Sequence, residues 1–255
     1  MTTPSLRYTY GIHACAAAIK ALTHTTGCQL MLLEGRLEGR LWALSREAEF
    51  REIPVVRTSK EQLQALSGSS QHQGVILAMS GESSILKDWS ESDLPELLQN
   101  PKGRAPLILV LDQITDPHNL GACLRTADGA GVDCVIVPKD HSAKITPAVE
   151  KVASGAAHTV PLIAVTNLAR TLETLKNAGV WLVGMAGEAE SLLYEIDLQG
   201  PIALLMGSEG EGLRRLTKSH ADYLAKLPMQ GSVSSLNVSV ATGIALYECV
   251  RQRGL

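Results

Sequence analysis

From residue 106 onward the chain alternates short apolar runs with helical stretches, and this alternation constrains the fold more than any other feature. Leu107-Ile-Leu-Val-Leu111 is apolar without interruption, as a strand covered on both faces must be. Val132–Val137, Thr159–Val165, Val180–Met185, Ile202–Met206 and Tyr223–Leu227 repeat the pattern. Between most of them the spacing predicts helices over Leu120–Ala130, Pro147–Ala157, Leu168–Ala178 and Leu213–His220. A last helix is expected from about Leu236 to Arg251. Repetition of this kind implies a parallel sheet with helices on its faces.

Before residue 80 a smaller α/β unit is predicted. It comprises a helix over Gly11–Leu22, a strand over Gln29–Leu33, a helix over Glu38–Phe50 and a strand over Ile53–Arg57. A helix capped by Ser59 and a strand over Gly74–Met79 complete it. Segment 80–105 is rich in Ser, Pro, Gly and acidic residues and reads as a linker with one short helix around Leu94–Leu98. The expected domains are therefore 1–79 and 106–255, joined by 80–105.

Composition excludes several classes. Apolar residues make up 45% and charged residues 19%, a globular balance. No apolar run approaches the ~18 residues of a membrane span, and the N-terminus carries no apolar signal region, so a cytoplasmic protein without a membrane partner is expected. The five cysteines are scattered, with no C-x-x-C pair, and read as reduced packing residues. The seven histidines form no H-E-x-x-H or Cys/His cluster, so no metal is expected. Net charge is −3, yet residues 1–78 carry eight Lys/Arg against six Asp/Glu, with Arg36, Arg40 and Arg46 close together. Those arginines are either a solvated helix face or a contact for an acidic partner.

Three polar, glycine-bearing segments each follow an apolar run, where open α/β sheets bind ligands. They are Asp116-Pro-His-Asn-Leu-Gly-Ala-Cys-Leu-Arg125, Met206-Gly-Ser-Glu-Gly-Glu-Gly212 and Leu227-Pro-Met-Gln-Gly-Ser-Val-Ser-Ser-Leu-Asn-Val-Ser239. In the first, Asp116-Pro117 ends a strand, and His118 or Asn119 begins a helix. Arg125 sits among apolar neighbours, so it either pairs with a carboxylate, Glu209 being the natural candidate, or serves a ligand. The second has the order G-x-x-G-x-G, lacks the Lys-Ser/Thr of a phosphate loop, and carries Glu209 and Glu211, which would repel a pyrophosphate. It is a tight turn or a loop for a neutral or cationic ligand. In the third, Ser234 or Ser235 would cap the last helix, with or without a ligand on its free amides. None of the serines lies in G-x-S-x-G, which removes the common hydrolase reading.

Taken together, Asn119-Leu-Gly-Ala-Cys-Leu-Arg125-Thr-Ala-Asp, Met206-Gly-Ser-Glu-Gly-Glu-Gly-Leu and Leu227-Pro-Met … Ser-Leu-Asn-Val-Ser-Val-Ala resemble the three motifs of the SpoU branch of the SPOUT superfamily, the TrmH-like RNA ribose 2′-O-methyltransferases. Tyr10-Gly-Ile-His-Ala and His72-Gln-Gly74 are similar to the small RNA-binding domain that precedes the catalytic one in many members. The nearest pattern is that of members methylating a guanosine ribose in 23S rRNA. The resemblance implies an L30e-like N-terminal domain, a SPOUT-type catalytic domain with a parallel sheet and C-terminal trefoil knot, and a homodimer formed through catalytic domains.

It also implies S-adenosylmethionine as methyl donor, with Gly207, Leu227 and Leu236 as principal contacts and Met206, Gly210 and Met229 nearby. Arg125 becomes the central catalytic residue, surrounded by Asn119, Glu209, Ser235 and Asn237. A guanidinium has a pKa above ~12 and stays protonated, so Arg125 is expected to grip a phosphate or developing alkoxide rather than take a proton. Arg36, Arg40 and His72 are implied RNA contacts, and 23S rRNA or a large-subunit precursor the partner. With one Phe and few aromatics, base stacking is expected to be minor beside phosphate and hydrogen-bond contacts. Two other functions compete: tRNA ribose methylation, and RNA binding without catalysis.

Overall fold

The computed structural model describes residues 6–22, 24–80, 89–99 and 103–254. These fall into two compact units: residues up to Asp88 with Ile145–Thr159, and Trp89–Lys144 with Val160–Leu255. The first unit opens with β1 (Arg7–Tyr10), α1 (Ile12–Ala21), β2 (Cys28–Leu33), α2 (Gly39–Phe50), β3 (Val55–Thr58), α3 (Lys60–Ser67) and β4 (Val75–Met79). Its sheet runs β1-β4-β2-β3, with β4 antiparallel to both neighbours and β3 parallel to β2. β1, four residues long, is the element of this stretch that the sequence reading does not include. Ser59 caps α3, its Oγ accepting from Gln62 N at 3.3 Å. The core gathers Cys15, Ala18 and Ile19 of α1 against Leu30, Leu32, Val75 and Leu77 of the sheet.

In the second unit α4 (Leu94–Leu98) comes first. Part of the segment read as linker, 81–88 and 100–102, lies outside the described residues. The described part is packed: Leu94 and Leu97 join the core with Ile108, Ile136 and Leu172, and Thr171 Oγ1 donates to Glu91 at 2.8 Å. Next come β5 (Leu107–Asp112), α5 (Pro117–Gly129) and β6 (Cys134–Pro138). α5 starts at Pro117, earlier than the expected His118 or Asn119. Asp116 caps it by accepting from His118 N at 2.9 Å, and proline suits a first position whose N–H would have no partner anyway.

The chain then returns to the first unit as α6 (Pro147–Ala153) and α7 (Ala156–Thr159). The single helix expected over 147–157 is broken, because Ser154 and Gly155 take φ of 52° and 100°. A Cβ on Gly155 would collide with Ala17 of α1, so glycine is what permits this approach. Buried Glu150 of α6 accepts from Arg7 Nη2 at 2.8 Å and Thr9 Oγ1 at 2.7 Å, both on β1. His158 of α7 is buried, and among the described residues neither ring nitrogen has a hydrogen-bond partner. Burial holds its pKa below the ordinary value, with Glu150 opposing that shift and Arg7 adding to it.

The second unit resumes with β7 (Leu162–Val165), α8 (Leu168–Asn177), β8 (Trp181–Met185), β9 (Ser191–Leu192), β10 (Ile202–Gly207), α9 (Arg215–His220), β11 (Tyr223–Lys226) and α10 (Val238–Gln252). Its sheet runs β7-β6-β5-β10-β8-β11-β9, and every adjacent pair is parallel. β5 is buried at all six positions, and each of its five apolar side chains contributes about 1.5–3 kcal/mol. Strand order reverses between β5 and β10, since β6 and β7 continue to one side and β8, β11 and β9 lie on the other. A crevice beyond the strand ends at such a reversal is the usual ligand site of an open α/β sheet. The three glycine-bearing segments leave the sheet from the ends of β5, β10 and β11.

All five cysteines are buried. Burial pushes the Cys123 thiol up to about 11 and that of Cys249 to about 12, so neither ionises near neutrality. Among the described residues no helix is long and apolar enough to cross a membrane.

Candidate active site

A chain of side-chain hydrogen bonds joins the three segments. Asn237, rather than Ser234 or Ser235, caps α10: its Oδ1 accepts from Ser239 N at 2.9 Å and from Ser239 Oγ at 2.6 Å. With Oδ1 committed, Nδ2 of Asn237 donates to Oδ1 of buried Asn119 at 3.0 Å. Asn119 Nδ2 then donates to Glu209 Oε2 at 3.4 Å. Each amide thus has its orientation fixed by the donor before it, and the series ends on a carboxylate that can only accept.

The loop after β10 is held at both ends. Ser208 and Gly212 pair backbone to backbone, with Gly212 N donating to Ser208 O at 2.9 Å and Ser208 N to Gly212 O at 3.1 Å. A Cβ on Gly207 would collide with the backbone of Gly212 and Leu213, so glycine here serves the closure of the loop itself. At the far end, fully buried Asp112 accepts from Arg214 Nε at 2.8 Å, Arg214 Nη2 at 2.6 Å and Thr217 Oγ1 at 2.7 Å. Asp112 is the last residue of β5, so this anchor fixes the loop to the centre of the sheet. A lone carboxylate closing an apolar run was its sequence signal.

Beside these loops lies a cavity of about 560 Å³. Gly207, Leu227, Leu236, Met206, Gly210 and Met229 all line it, as do Glu209 and Ser235. One further wall escaped sequence reading: Met185-Ala-Gly-Glu188 at the end of β8, with Lys218 beside it. Val180–Met185 is itself an apolar run followed by a glycine, so the rule that found the other loops finds this one too. Glu188 pairs with Lys218, and that hydrogen bond holds its carboxyl below the usual range. Thioether and leucine side chains, backbone amides and carboxylates together suit a ligand with an apolar ring and a positive charge. Among the described residues no group of three or more His, Cys, Asp or Glu could hold a metal.

Arg125 is exposed, and among the described residues it has neither an ion pair nor a hydrogen bond. The expected pairing with Glu209 does not form. Six residues separate Arg125 from Asn119, which turns the two side chains about 120° apart on α5. Asn119 faces inward and takes Glu209, while Arg125 points outward from the same helix.

In the first unit Arg36 is exposed and 3.4 Å from Glu38. Arg40 Nη1 is 3.1 Å from His13 Nε2, and in this contact the guanidinium can only donate. His72 is buried, its Nδ1 accepting from Gly74 N at 3.1 Å to hold the turn into β4. Arg36 and Arg40 are thus presented to solvent and His72 is not.

A parallel sheet with three motif loops gathered at its strand reversal defines the class of protein, and comparison with known proteins names it. Residues 106–247 match the SpoU rRNA Methylase family, and residues 8–83 match the RNA 2′-O ribose methyltransferase substrate binding family. The chain belongs to the SpoU methylase family. It is 54% identical over 244 residues to the 23S rRNA (guanosine-2′-O-)-methyltransferase RlmB of Pseudomonas putida, covering 96% of each chain. A solved RNA 2′-O ribose methyltransferase aligns with a TM-score of 0.77 at 29% identity, over 98% of this chain and 90% of its own. The SpoU methyltransferase AviRb from Streptomyces viridochromogenes, solved in complex with AdoMet, shares the fold: TM-score 0.76 at 23% identity, over 97% of this chain and 90% of that one.

Proposed function

We infer that this chain transfers a methyl group from S-adenosylmethionine to the ribose 2′-hydroxyl of a guanosine in 23S rRNA. The observation that carries the reading is the hydrogen-bond series Asn237–Asn119–Glu209, which ties one residue from each motif together beside a cavity of suitable chemistry. When bound, the donor supplies an electrophilic methyl on a sulfonium. The residues assigned to hold it are Gly207, Leu227 and Leu236, with Met206, Gly210 and Met229 nearby; all line the cavity, whose carboxylates favour a cation. Arg125, charged and free, is assigned to the target phosphate or the developing alkoxide. Asn119, Glu209, Ser235 and Asn237 fix the geometry around it, so that the hydroxyl oxygen meets the methyl in line.

In this reading residues 1–79 bind rRNA, with Arg36 and Arg40 as phosphate contacts and His72 shaping the turn behind them. Residues 106–255, apart from the Ile145–Thr159 stretch that belongs to the first unit, are assigned to the knotted catalytic domain. The protein works in the cytoplasm as a homodimer. The dimer is supported by α10, whose Val240, Ile244 and Tyr247 stand exposed at spacings of four and three, an apolar stripe on one helix face. Ile244→Asp should therefore give a monomer by light scattering, and an unchanged dimer mass would reject that face.

Mapping ribose methylation across rRNA with and without the protein tests the activity directly. Calorimetry tests the donor site: S-adenosylmethionine should bind and NAD and ATP should not. Leu227→Trp, which fills the cavity without touching the closure at Gly207, should abolish binding. Retained affinity in that variant would remove the site assignment.

A further inference from the structure

Helix α2 packs Leu44, Ser45 and Ala48 inward and leaves two large aromatic residues facing out. Trp42 is 57% exposed and Phe50, the only phenylalanine of the chain, is 85% exposed. Arg46 lies four residues from each, so the three side chains follow one another along a single face, spanning roughly 12 Å. Neither ring contributes to the apolar core of its unit. Exposing a Trp and a Phe together forgoes the burial of two large apolar rings, and packing within the unit gives no reason for it.

The charges around this face are mostly matched. Arg46 pairs with Glu49 at 2.8 Å, Arg51 with Glu47 at 3.8 Å, and Arg36 with Glu38 at 3.4 Å. Arg40, at the start of α2, has no carboxylate partner among the described residues and lies against the His13 ring. The face thus offers two flat aromatic surfaces and an arginine between them, beside one uncompensated cation. Phosphates would seek the cation; the rings match the π-faces of unstacked bases. An apolar protein partner would call for aliphatic neighbours, and here the residue between the rings is charged.

We propose that the Trp42–Arg46–Phe50 face of α2 is a stacking platform for unpaired bases of the substrate RNA. The proposal rests on the rRNA reading above and adds residues that no motif of the chain contains. It also reverses the expectation of minor stacking: few aromatic residues suffice when two of them are placed together on the surface.

The test uses the full-length protein, transcribed 23S rRNA and a fully paired RNA duplex, with binding measured over a range of salt. Trp42→Ala and Phe50→Ala should each weaken rRNA binding about tenfold or more while leaving the slope of affinity against salt unchanged, because stacking displaces no counterions. Arg40→Ala should instead lower that slope by about 1. Trp42→Phe, which keeps a ring, should restore most of the affinity, and duplex binding should not change. rRNA affinity within about twofold of wild type in the Trp42/Phe50 double alanine variant would overturn the proposal. So would a change in oligomeric mass without a change in rRNA affinity, which would make the face a contact between copies. If wild type itself methylated no rRNA, the functional reading would fail; if wild type and the double variant were equally active and bound equally well, only the platform would.

Discussion

At the residue scale, Arg125 and Asp112 show how two charged groups on the same strand–helix connection acquire opposite duties. Arg125 is exposed and, among the described residues, unpaired, so its charge remains available to a ligand. Arg125→Ala is expected to abolish methylation while donor affinity, measured by calorimetry, stays within about twofold. Arg125→Lys should also be badly impaired, because lysine lacks the planar fork that grips two oxygens at once. Near-normal turnover in that variant, with a new basic limb in its pH–rate profile, would favour proton abstraction at this position instead. Asp112 is the contrary case, sealed from water and committed to Arg214 and Thr217. Asp112→Ala leaves the buried Thr217 hydroxyl and the partly exposed Arg214 guanidinium without their acceptor and should destabilise the protein by about 1–3 kcal/mol in denaturant melts. It should also weaken donor binding, since the loop from Ser208 to Arg214 loses its anchor to β5.

At the element scale, the α6–α7 pair deserves a pH experiment. His158 has its pKa lowered by burial, so the unfolded chain binds a proton that the folded chain does not. The sign follows: stability from this group is fully present above the ordinary histidine value of about 6.5 and is lost as pH falls below it. His158→Leu should flatten the fall of unfolding free energy as pH drops below about 6.5, by up to about 1.4 kcal/mol per pH unit. An identical slope in the variant would show that His158 does not carry the acid sensitivity. The helices themselves were only half legible beforehand. Val149, Ala153 and Ala157 predicted one apolar helix, but its break at Ser154-Gly155 answers to Ala17, a residue far away in sequence.

At the scale of the whole molecule, truncation separates the two halves of the function. Residues 106–255 hold every loop assigned to the donor, yet Leu94 and Leu97 belong to the same core. A chain beginning at Trp89 is therefore expected to unfold at a higher temperature than one beginning at Pro106, by several degrees, since each buried leucine contributes about 2 kcal/mol. Both should bind the donor and both should lose most activity on rRNA, because the proposed RNA contacts lie before residue 80. Full methylation by either would make the N-terminal part dispensable. Equal melting temperatures would show that α4 adds nothing to the core.

The sequence alone determined the parallel sheet, its strand ends and the family motifs, because these depend on local periodicity and on residue identities that sit next to one another in the chain. It also located Asn119, Glu209 and Asn237 within those motifs. Which of them touch was beyond it: the two amides could hydrogen-bond in either orientation until Ser239 fixed one of them. The pairing of Arg125 with Glu209 looked natural on charge and failed on the pitch of α5. Only the tertiary structure could decide this, because a hydrogen bond or an ion pair depends on angle and distance to within a few tenths of an ångström. Side chains brought together from residues 119, 209 and 237 acquire those angles only when three separate strands have closed into one sheet.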